Sequence, residues 1–203
     1  MFDSLPKPPL SRRAFIWGAA SLAAGVALVA ESGLLGGLAV LGGATIQTTP
    51  GWVTLIKFDA AGRRLGSLRV AKIVKTEAQW RQQLPPLAFE VLRQGVTEIA
   101  FTGPLNDCYR PGVYRCLGCA TALFGSQTKY DPHEGWPSFW APLAHQNMTL
   151  RTDYSDAMVR TEVRCARCDG HLGHRFDDGP PPTGLRYCMD SAALAFRPRP
   201  VSG

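Results

Sequence analysis

The chain has 203 residues, 45% of them hydrophobic, and this size suits one ordinary hydrophobic core rather than two full domains. Its formal charge of +6 would fall by two if four cysteine thiolates bound one divalent metal ion. A charge this small gives little support to a nucleic-acid partner, and we expect none.

The first 46 residues differ in composition from the rest of the chain. The run SRRAFI at 11–16 is followed by Ala, Gly, Leu and Val, with Glu31 as the only charge. This segment resembles a twin-arginine export signal, although Trp17 stands where that pattern has lysine. Residues 14–46 could also remain as a membrane anchor or form a buried helix. We expect residues 47–203 to lie in the periplasm, either free or anchored at the inner membrane.

A β-hairpin is predicted next, within an extension at 47–75. Residues 51–59 and 65–74 alternate apolar and polar side chains, and a glycine-containing turn at 61–63 separates them.

Two short helices should follow the hairpin. Thr76 and Gln79 match a capping box, so the first helix should begin there and stop before Pro85. A second helix is predicted over 87–94, and Gly95 should close it.

The remainder of the chain reads as short strands joined by long loops. Strand-sized apolar runs lie at 113–116, 158–165 and 185–189, within segments rich in Gly, Pro and aromatic residues. We therefore predict one mostly β, antiparallel domain at 76–198, with a short tail at 199–203.

Four cysteines in two CxxC pairs predict a closed, structural zinc site: Cys116, Cys119, Cys165 and Cys168. The 45 residues between the pairs exceed the spacing of a compact zinc ribbon, so the metal should tie together distant parts of one domain. Two alternatives remain at this point. His171 or His174 could replace a cysteine ligand, or the pairs could be redox-active.

A further cysteine, Cys188, is free for chemistry. On a strand, Arg186, Cys188 and Asp190 share one face, while Tyr187 and Met189 point to the other. A nearby guanidinium favours the reactive thiolate, and Asp190 opposes it.

Histidines and aromatic residues supply the other groups a reaction needs. His171 and His174 flank Gly173, which predicts a turn that brings both imidazoles to one side. An imidazolium beside a thiolate is a common nucleophile pair and can also donate a proton. The aromatic run at 135–140, which contains Trp136, could pack in the core or form a pocket for a thioether-like group.

Four runs, together with the CxxC pairs, resemble the methionine sulfoxide reductase B family, the methionine-R-sulfoxide reductases: GWPSFW at 135–140, VRTEV at 159–163, HLGHRFDDGP at 171–180 and RYCMDS at 186–191. The resemblance extends from about residue 76 to residue 196. It implies a small β fold of two antiparallel sheets with a few short helices and a zinc ion on the four cysteines. It also implies reduction of methionine-R-sulfoxide, free or in oxidised proteins, with electrons from a thioredoxin-like protein.

The resemblance also implies a role for each matching residue. Cys188 matches the nucleophile, which attacks the sulfoxide sulfur and becomes a sulfenic acid. His171 and His174 match the residues that orient the substrate and supply the proton, and Arg186 matches the one that stabilises the thiolate. Three matches belong to substrate binding: Trp136, which packs on the substrate methyl, Phe176 and Asp178.

Two positions depart from the family pattern. Glu134 replaces the resolving cysteine of many members, so we hypothesise that Cys108 resolves the sulfenic acid; direct reduction by an external thiol is the alternative. Asp190 replaces the usual asparagine and should either raise the Cys188 pKa or keep a histidine protonated. A zinc-dependent interaction module and a nucleic-acid-binding module without catalysis are the competing functions.

Overall fold

Strands dominate the part of the chain that the computed structural model describes, residues 51–155 and 158–200. The predicted export segment at 1–46 lies outside these residues. Within them, no helix is long and apolar enough to cross a bilayer. The strands are β1 Trp52–Phe58, β2 Arg64–Ala71, β3 Gly112–Cys116, β4 Ala122–Gly125, β5 Lys129–Tyr130, β6 Ser138–Phe139, β7 Met148–Asp153, β8 Arg160–Cys165, β9 His171–Phe176, β10 Arg186–Met189 and β11 Leu194–Pro198.

The first helix follows the capping prediction. Helix α1 spans Glu77–Gln83, and the Thr76 hydroxyl accepts the Gln79 amide while the Gln79 side chain accepts the Thr76 amide. Single 3-10 turns lie at Ser126–Thr128, His145–Asn147 and Ser191–Ala193.

The second helix differs from the prediction in its winding. Helix α2 spans Pro86–Phe89 and continues as a π-helical turn, Glu90–Gln94, which Gly95 closes at a φ of 73°. The wider turn buries the adjacent Val91 and Leu92 together, at 0% and 1% exposure. Packing of two consecutive apolar residues therefore overrides the regular α-helical spacing.

Two antiparallel sheets enclose the core, which confirms the predicted fold class. The order is β5-β6-β10-β9-β8-β7 in the larger sheet and β11-β3-β4 in the smaller one. Aromatic rings connect the sheets: Phe139 stacks on Phe124 at 4.3 Å and meets Tyr114 edge-on at 4.9 Å between ring centroids. Strand β10 lies inside the larger sheet, paired with β6 and β9, so its backbone is held on both sides.

The predicted hairpin is confirmed as a third, two-stranded sheet of β1 and β2. Asn147, fully buried, joins it to the main domain. Its Oδ1 accepts the Ile56 amide at 2.7 Å, and its Nδ2 donates to the carbonyls of Ile56 and Ala122 at 2.9 and 2.8 Å. The Asn147 side chain thus satisfies the backbone amide and carbonyl of Ile56, as a neighbouring strand would otherwise do.

Candidate active site

Strand β10 carries Cys188 into a pocket of about 210 Å³. The alternation along β10 agrees with the sequence, because Tyr187 and Met189 contribute to the core and Arg186 and Cys188 face the pocket. The pocket is lined by Thr97, Glu134, Trp136, Arg160, Gly173, His174, Phe176, Arg186, Cys188, Met189 and Asp190.

The Cys188 thiol is mostly protonated at neutral pH. Burial raises its pKa to about 11, Glu134 and Asp190 add to the rise, and Arg186 and the Ser138 hydroxyl oppose it. The expected help from Arg186 is therefore present but smaller than the cost of desolvating a thiolate. Substrate binding therefore has to supply the further stabilisation of the thiolate that the resting pocket does not provide.

Arg186 is engaged by two carboxylates, which explains its limited effect. Its Nε and Nη2 donate to Asp178 at 2.8 and 2.7 Å, and its Nη1 donates to Glu134. The guanidinium also lies 4.4 Å from the centroid of the Phe176 ring. Asp178 is placed behind Arg186 and is not among the pocket-lining residues, whereas Phe176 is. Glu134 itself lines the pocket, so this ion pair holds Arg186 at the edge of the site.

The two histidines lie on a strand and not in the predicted turn. In β9, Gly173 pairs with Val163 and His171 pairs with Arg164, so Leu172 is left without a partner in β8. This bulge brings His171 and His174 to one side, with ring centroids 5.2 Å apart, although residues three apart alternate faces in a regular strand.

The bulge depends on glycine at position 173. Its φ of 138° is one that L side chains rarely adopt, and a Cβ there would lie 2.2 Å from the Cys188 carbonyl oxygen. The same close approach places His174 directly opposite Cys188 in the β9–β10 register.

Each histidine bonds a carboxylate that the sequence reasoning missed. His174 Nε2 lies 2.7 Å from Asp153 Oδ2, and His171 Nδ1 lies 2.8 Å from Glu162 Oε1. The pKa of Asp153 is lowered by the Ser155 amide first and by His174 next, whereas burial lowers the pKa of His171. Glu162 belongs to the VRTEV run at 159–163. A predicted pairing of that run with the strand at 171–176 would have indicated that Glu162 lies beside His171.

Only one of the histidines borders the Cys188 pocket. His174 lines it, while His171 lines an adjoining pocket of about 280 Å³ with Glu162 and Asp153. His174 therefore borders the same pocket as Cys188, whereas His171 borders the adjoining pocket.

Trp136 provides an apolar wall, and its indole is anchored. The Nε1 donates to the Glu98 carbonyl at 3.1 Å. The Phe176 ring adds apolar surface to the same pocket. A site with these walls beside a thiol and an imidazole suits a small apolar group that carries a polar oxygen.

The four paired cysteines come together as a cluster that could hold a metal ion. The sulfur atoms of Cys116, Cys119, Cys165 and Cys168 all lie within 4.8 Å of one another. The Cys116–Cys168 and Cys119–Cys165 sulfur distances are 3.6 and 3.4 Å. A tetrahedral site with metal–sulfur bonds of about 2.3 Å requires sulfur–sulfur distances of about 3.8 Å, so the donors fit. His171 and His174 bond carboxylates instead, which removes support for the mixed ligand set.

Cys108 is half-buried in a loop outside the set of pocket-lining residues. Its carbonyl accepts the Tyr114 hydroxyl. The same loop is tied to the segment after Cys188, because the Leu105 amide donates to Ser191 Oγ at 2.9 Å.

Comparison with known proteins identifies the family. Residues 84–198 match the model of the SelR domain. The peptide methionine sulfoxide reductase MsrB of Methylibium petroleiphilum is 55% identical over 128 residues, which are 63% of this chain and 93% of that protein. The MsrB proteins of Thiobacillus denitrificans and Agrobacterium fabrum are 53% and 47% identical, covering 62% and 66% of this chain and 95% and 99% of their own lengths. The chain belongs to the MsrB family, as the four runs predicted.

Proposed function

We propose that this protein is an oxidoreductase that reduces methionine-R-sulfoxide to methionine, with Cys188 as the nucleophile. The observation that carries the proposal is a single thiol opening into a pocket with an apolar wall and acid groups, in a member of the MsrB family. Peptide-bound methionine sulfoxide is the expected substrate, since the relatives are named for it.

The chemistry balances with one thiol and one sulfoxide. The Cys188 sulfur attacks the sulfoxide sulfur, the oxygen moves to Cys188 as a sulfenic acid, and methionine leaves. The substrate sulfur gains two electrons that the cysteine sulfur loses, and the thiol proton ends on the transferred oxygen. His174, opposite Cys188, is placed to move this proton, and Asp153 holds its ring.

The other pocket residues position the substrate. Trp136 and Phe176 supply the surface on which the methyl and methylene groups pack. Arg186 gives the developing thiolate a positive neighbour, and Asp178 and Glu134 hold that guanidinium in place.

Stereochemically resolved substrates test this function. Purified protein with dithiothreitol should convert N-acetyl-methionine-R-sulfoxide to the thioether and leave the S epimer unchanged, as followed by chiral chromatography. Consumption of neither epimer would contradict the function, and consumption of both would contradict the stereochemistry.

Recycling of the sulfenic acid is assigned to Cys108. The Cys108 thiol would displace water from the Cys188 sulfenic acid and leave a disulfide, which a thioredoxin-like dithiol then reduces. The hydrogen bond from the Cys108 loop to Ser191, three residues after Cys188, supports this assignment. Peptide mapping after one turnover without reductant should find a Cys108–Cys188 disulfide; a Cys188 sulfenic acid with free Cys108 would overturn it.

The metal of the cysteine cluster is assigned as zinc. Four thiolates are soft ligands and leave no open position, so the ion would be structural and would take no part in sulfoxide chemistry. The Lys72 amino group bonds the Asp169 carboxylate at 2.8 Å, so the hairpin is fastened beside the second pair. His171 lies three residues beyond Cys168, so the ion would also fix the start of β9.

Residues 1–46 are assigned to export by the twin-arginine route, with the enzyme free or anchored in the periplasm. That route carries folded proteins, so zinc loaded in the cytoplasm would arrive already bound, which protects the thiols from oxidation. Cell fractionation tests this: Arg12→Lys with Arg13→Lys should abolish the periplasmic pool. Unchanged export of the double variant would refute the assignment.

A further inference from the structure

Asp190 is one of the two pocket-lining residues at which the sequence departs from the pattern of the family that it resembles. It is 2% exposed and lines the pocket with Cys188. Its Oδ1 accepts the Glu98 amide at 2.9 Å. An asparagine oxygen could accept that bond equally well, so the substitution changes only the second atom of the group, from an amide nitrogen to an oxygen.

A second buried carboxylate lies beside Asp190. Glu98 is 3% exposed, and its carboxylate accepts the amides of Ser191 at 2.5 Å and Ala192 at 2.9 Å. Among the described residues, no lysine or arginine side chain donates a hydrogen bond to either carboxyl. Two amides stabilise charge on Glu98, whereas one amide serves Asp190. If only one of them carries a charge, Glu98 is the better place for it.

The free atom of Asp190 faces an unsatisfied nitrogen. His171 Nδ1 bonds the Glu162 carboxylate and therefore carries its proton, which leaves Nε2 as an acceptor. This Nε2 is buried without a hydrogen-bond partner and lies 3.7 Å from Asp190 Oδ2. A carboxylate oxygen would repel that lone pair, whereas a carboxylic acid hydroxyl would be attracted to it.

The remaining charged groups around the pocket do not alter the preference for a charged Glu98 and a neutral Asp190. His174 bonds Asp153, Arg186 bonds Asp178 and Glu134, and Cys188 gains negative charge when it reacts. Arg160 lines the pocket from β8 and pairs with Asp153 at 3.0 Å. Burial and the Glu98 charge raise the pKa of Asp190 to about 7, although the Glu98 amide opposes the rise.

We propose that Asp190 acts as a neutral carboxylic acid in this enzyme. Its hydroxyl faces His171 Nε2 in the free enzyme and donates a hydrogen bond to the sulfoxide oxygen when substrate occupies the pocket. This inference rests on the proposed function, and burial together with the neighbouring Glu98 charge holds Asp190 in the acid form. Asp190 is thus a hydrogen-bond donor at low and neutral pH and loses that capacity when it ionises.

A direct titration tests the protonation state without any turnover. Carboxyl carbons of aspartate are labelled with 13C in the Cys188→Ser variant, which removes the competing thiol titration. The signal that disappears in Cys188→Ser with Asp190→Asn belongs to Asp190 and should titrate near pH 7. Glu98→Gln should move this titration to lower pH, since it removes the neighbouring charge. Titration of Asp190 below pH 5, where an exposed aspartate titrates, would overturn the proposal.

The pH dependence of catalysis tests the donor role with matched variants. In the wild type, kcat/KM should fall as Asp190 ionises above neutral pH. Asp190→Asn keeps a donor at every pH and should remove this fall, with activity below pH 7 within about 10-fold of the wild type. Asp190→Ala removes the donor and should lose about 100-fold at low and neutral pH. The same alkaline fall in Asp190→Asn would contradict the donor role, even if the enzyme reduces the R epimer.

Discussion

Replacing Cys188 with serine should reduce the consumption of methionine-R-sulfoxide by at least about 1,000-fold. The serine hydroxyl is a far weaker nucleophile than sulfur, and an oxygen atom in that position cannot be oxidised to the equivalent of a sulfenic acid. Burial already raises the pKa of the thiol to about 11, so the pocket gives a serine alkoxide no greater help. The measurement is the rate of thioether formation with dithiothreitol as reductant.

Cys108→Ser is the matched control for this loss. It removes a thiol that lies outside the pocket-lining set, so it should still form one methionine per enzyme in a single turnover. Its steady-state rate with a thioredoxin-like reductant should fall, because the resolving step is lost. A Cys188→Ser enzyme with substantial activity, or a Cys108→Ser enzyme without the first turnover, would contradict the assignment of Cys188 as nucleophile.

The protonated resting thiol suggests how the site separates binding from chemistry. A buried thiolate would be oxidised readily, whereas a neutral thiol in this pocket reacts only when substrate supplies a group that shifts the balance. Bound sulfoxide offers an oxygen that can accept the proton as the sulfur attacks. Asp190 and His174 both line the pocket of Cys188: Asp190 follows the end of β10, and His174 lies opposite Cys188 on β9.

Residues close in sequence to a recognisable motif were predictable. Alternation along a strand placed Cys188 opposite the core residues Tyr187 and Met189, and the CxxC spacing predicted the metal cluster. The hairpin and the capped helix followed from local turn and capping chemistry. Apart from the joining of the two cysteine pairs, these features depend on neighbours a few residues away, which a single sequence displays.

The electrostatic support of the site was not predictable in the same way. Glu98 meets Asp190 across 92 residues, and Glu134 meets Arg186 across 52. Neither carboxylate lies in a pattern that indicates its partner, because such pairs depend on how the sheets and loops pack. The bulge at Leu172 also escaped prediction, since it is a property of the pairing between β8 and β9.

Loss of the metal ion that we assign to the cysteine cluster should unfold the domain. Cys116 ends β3 of the smaller sheet and Cys165 ends β8 of the larger one, so a metal ion on the cluster joins the two sheets that enclose the core. Binding of structural zinc is worth about 10 kcal/mol or more at neutral pH, comparable to the whole stability of a domain, about 5–15 kcal/mol.

The Cys168→Ser variant tests whether metal binding is coupled to folding of the domain. The residue is 2% exposed and its sulfur lies 3.6 Å from that of Cys116, so serine leaves a buried hydroxyl and an incomplete ligand set. We expect less than one tenth of the zinc content of the wild type and loss of the cooperative thermal transition, measured by atomic absorption and near-ultraviolet circular dichroism. Cys108→Ser, whose sulfur lies outside the cluster, should keep one zinc ion per chain and its transition. A zinc-free Cys168→Ser protein that unfolds at the wild-type temperature would show that the two sheets hold together without the metal.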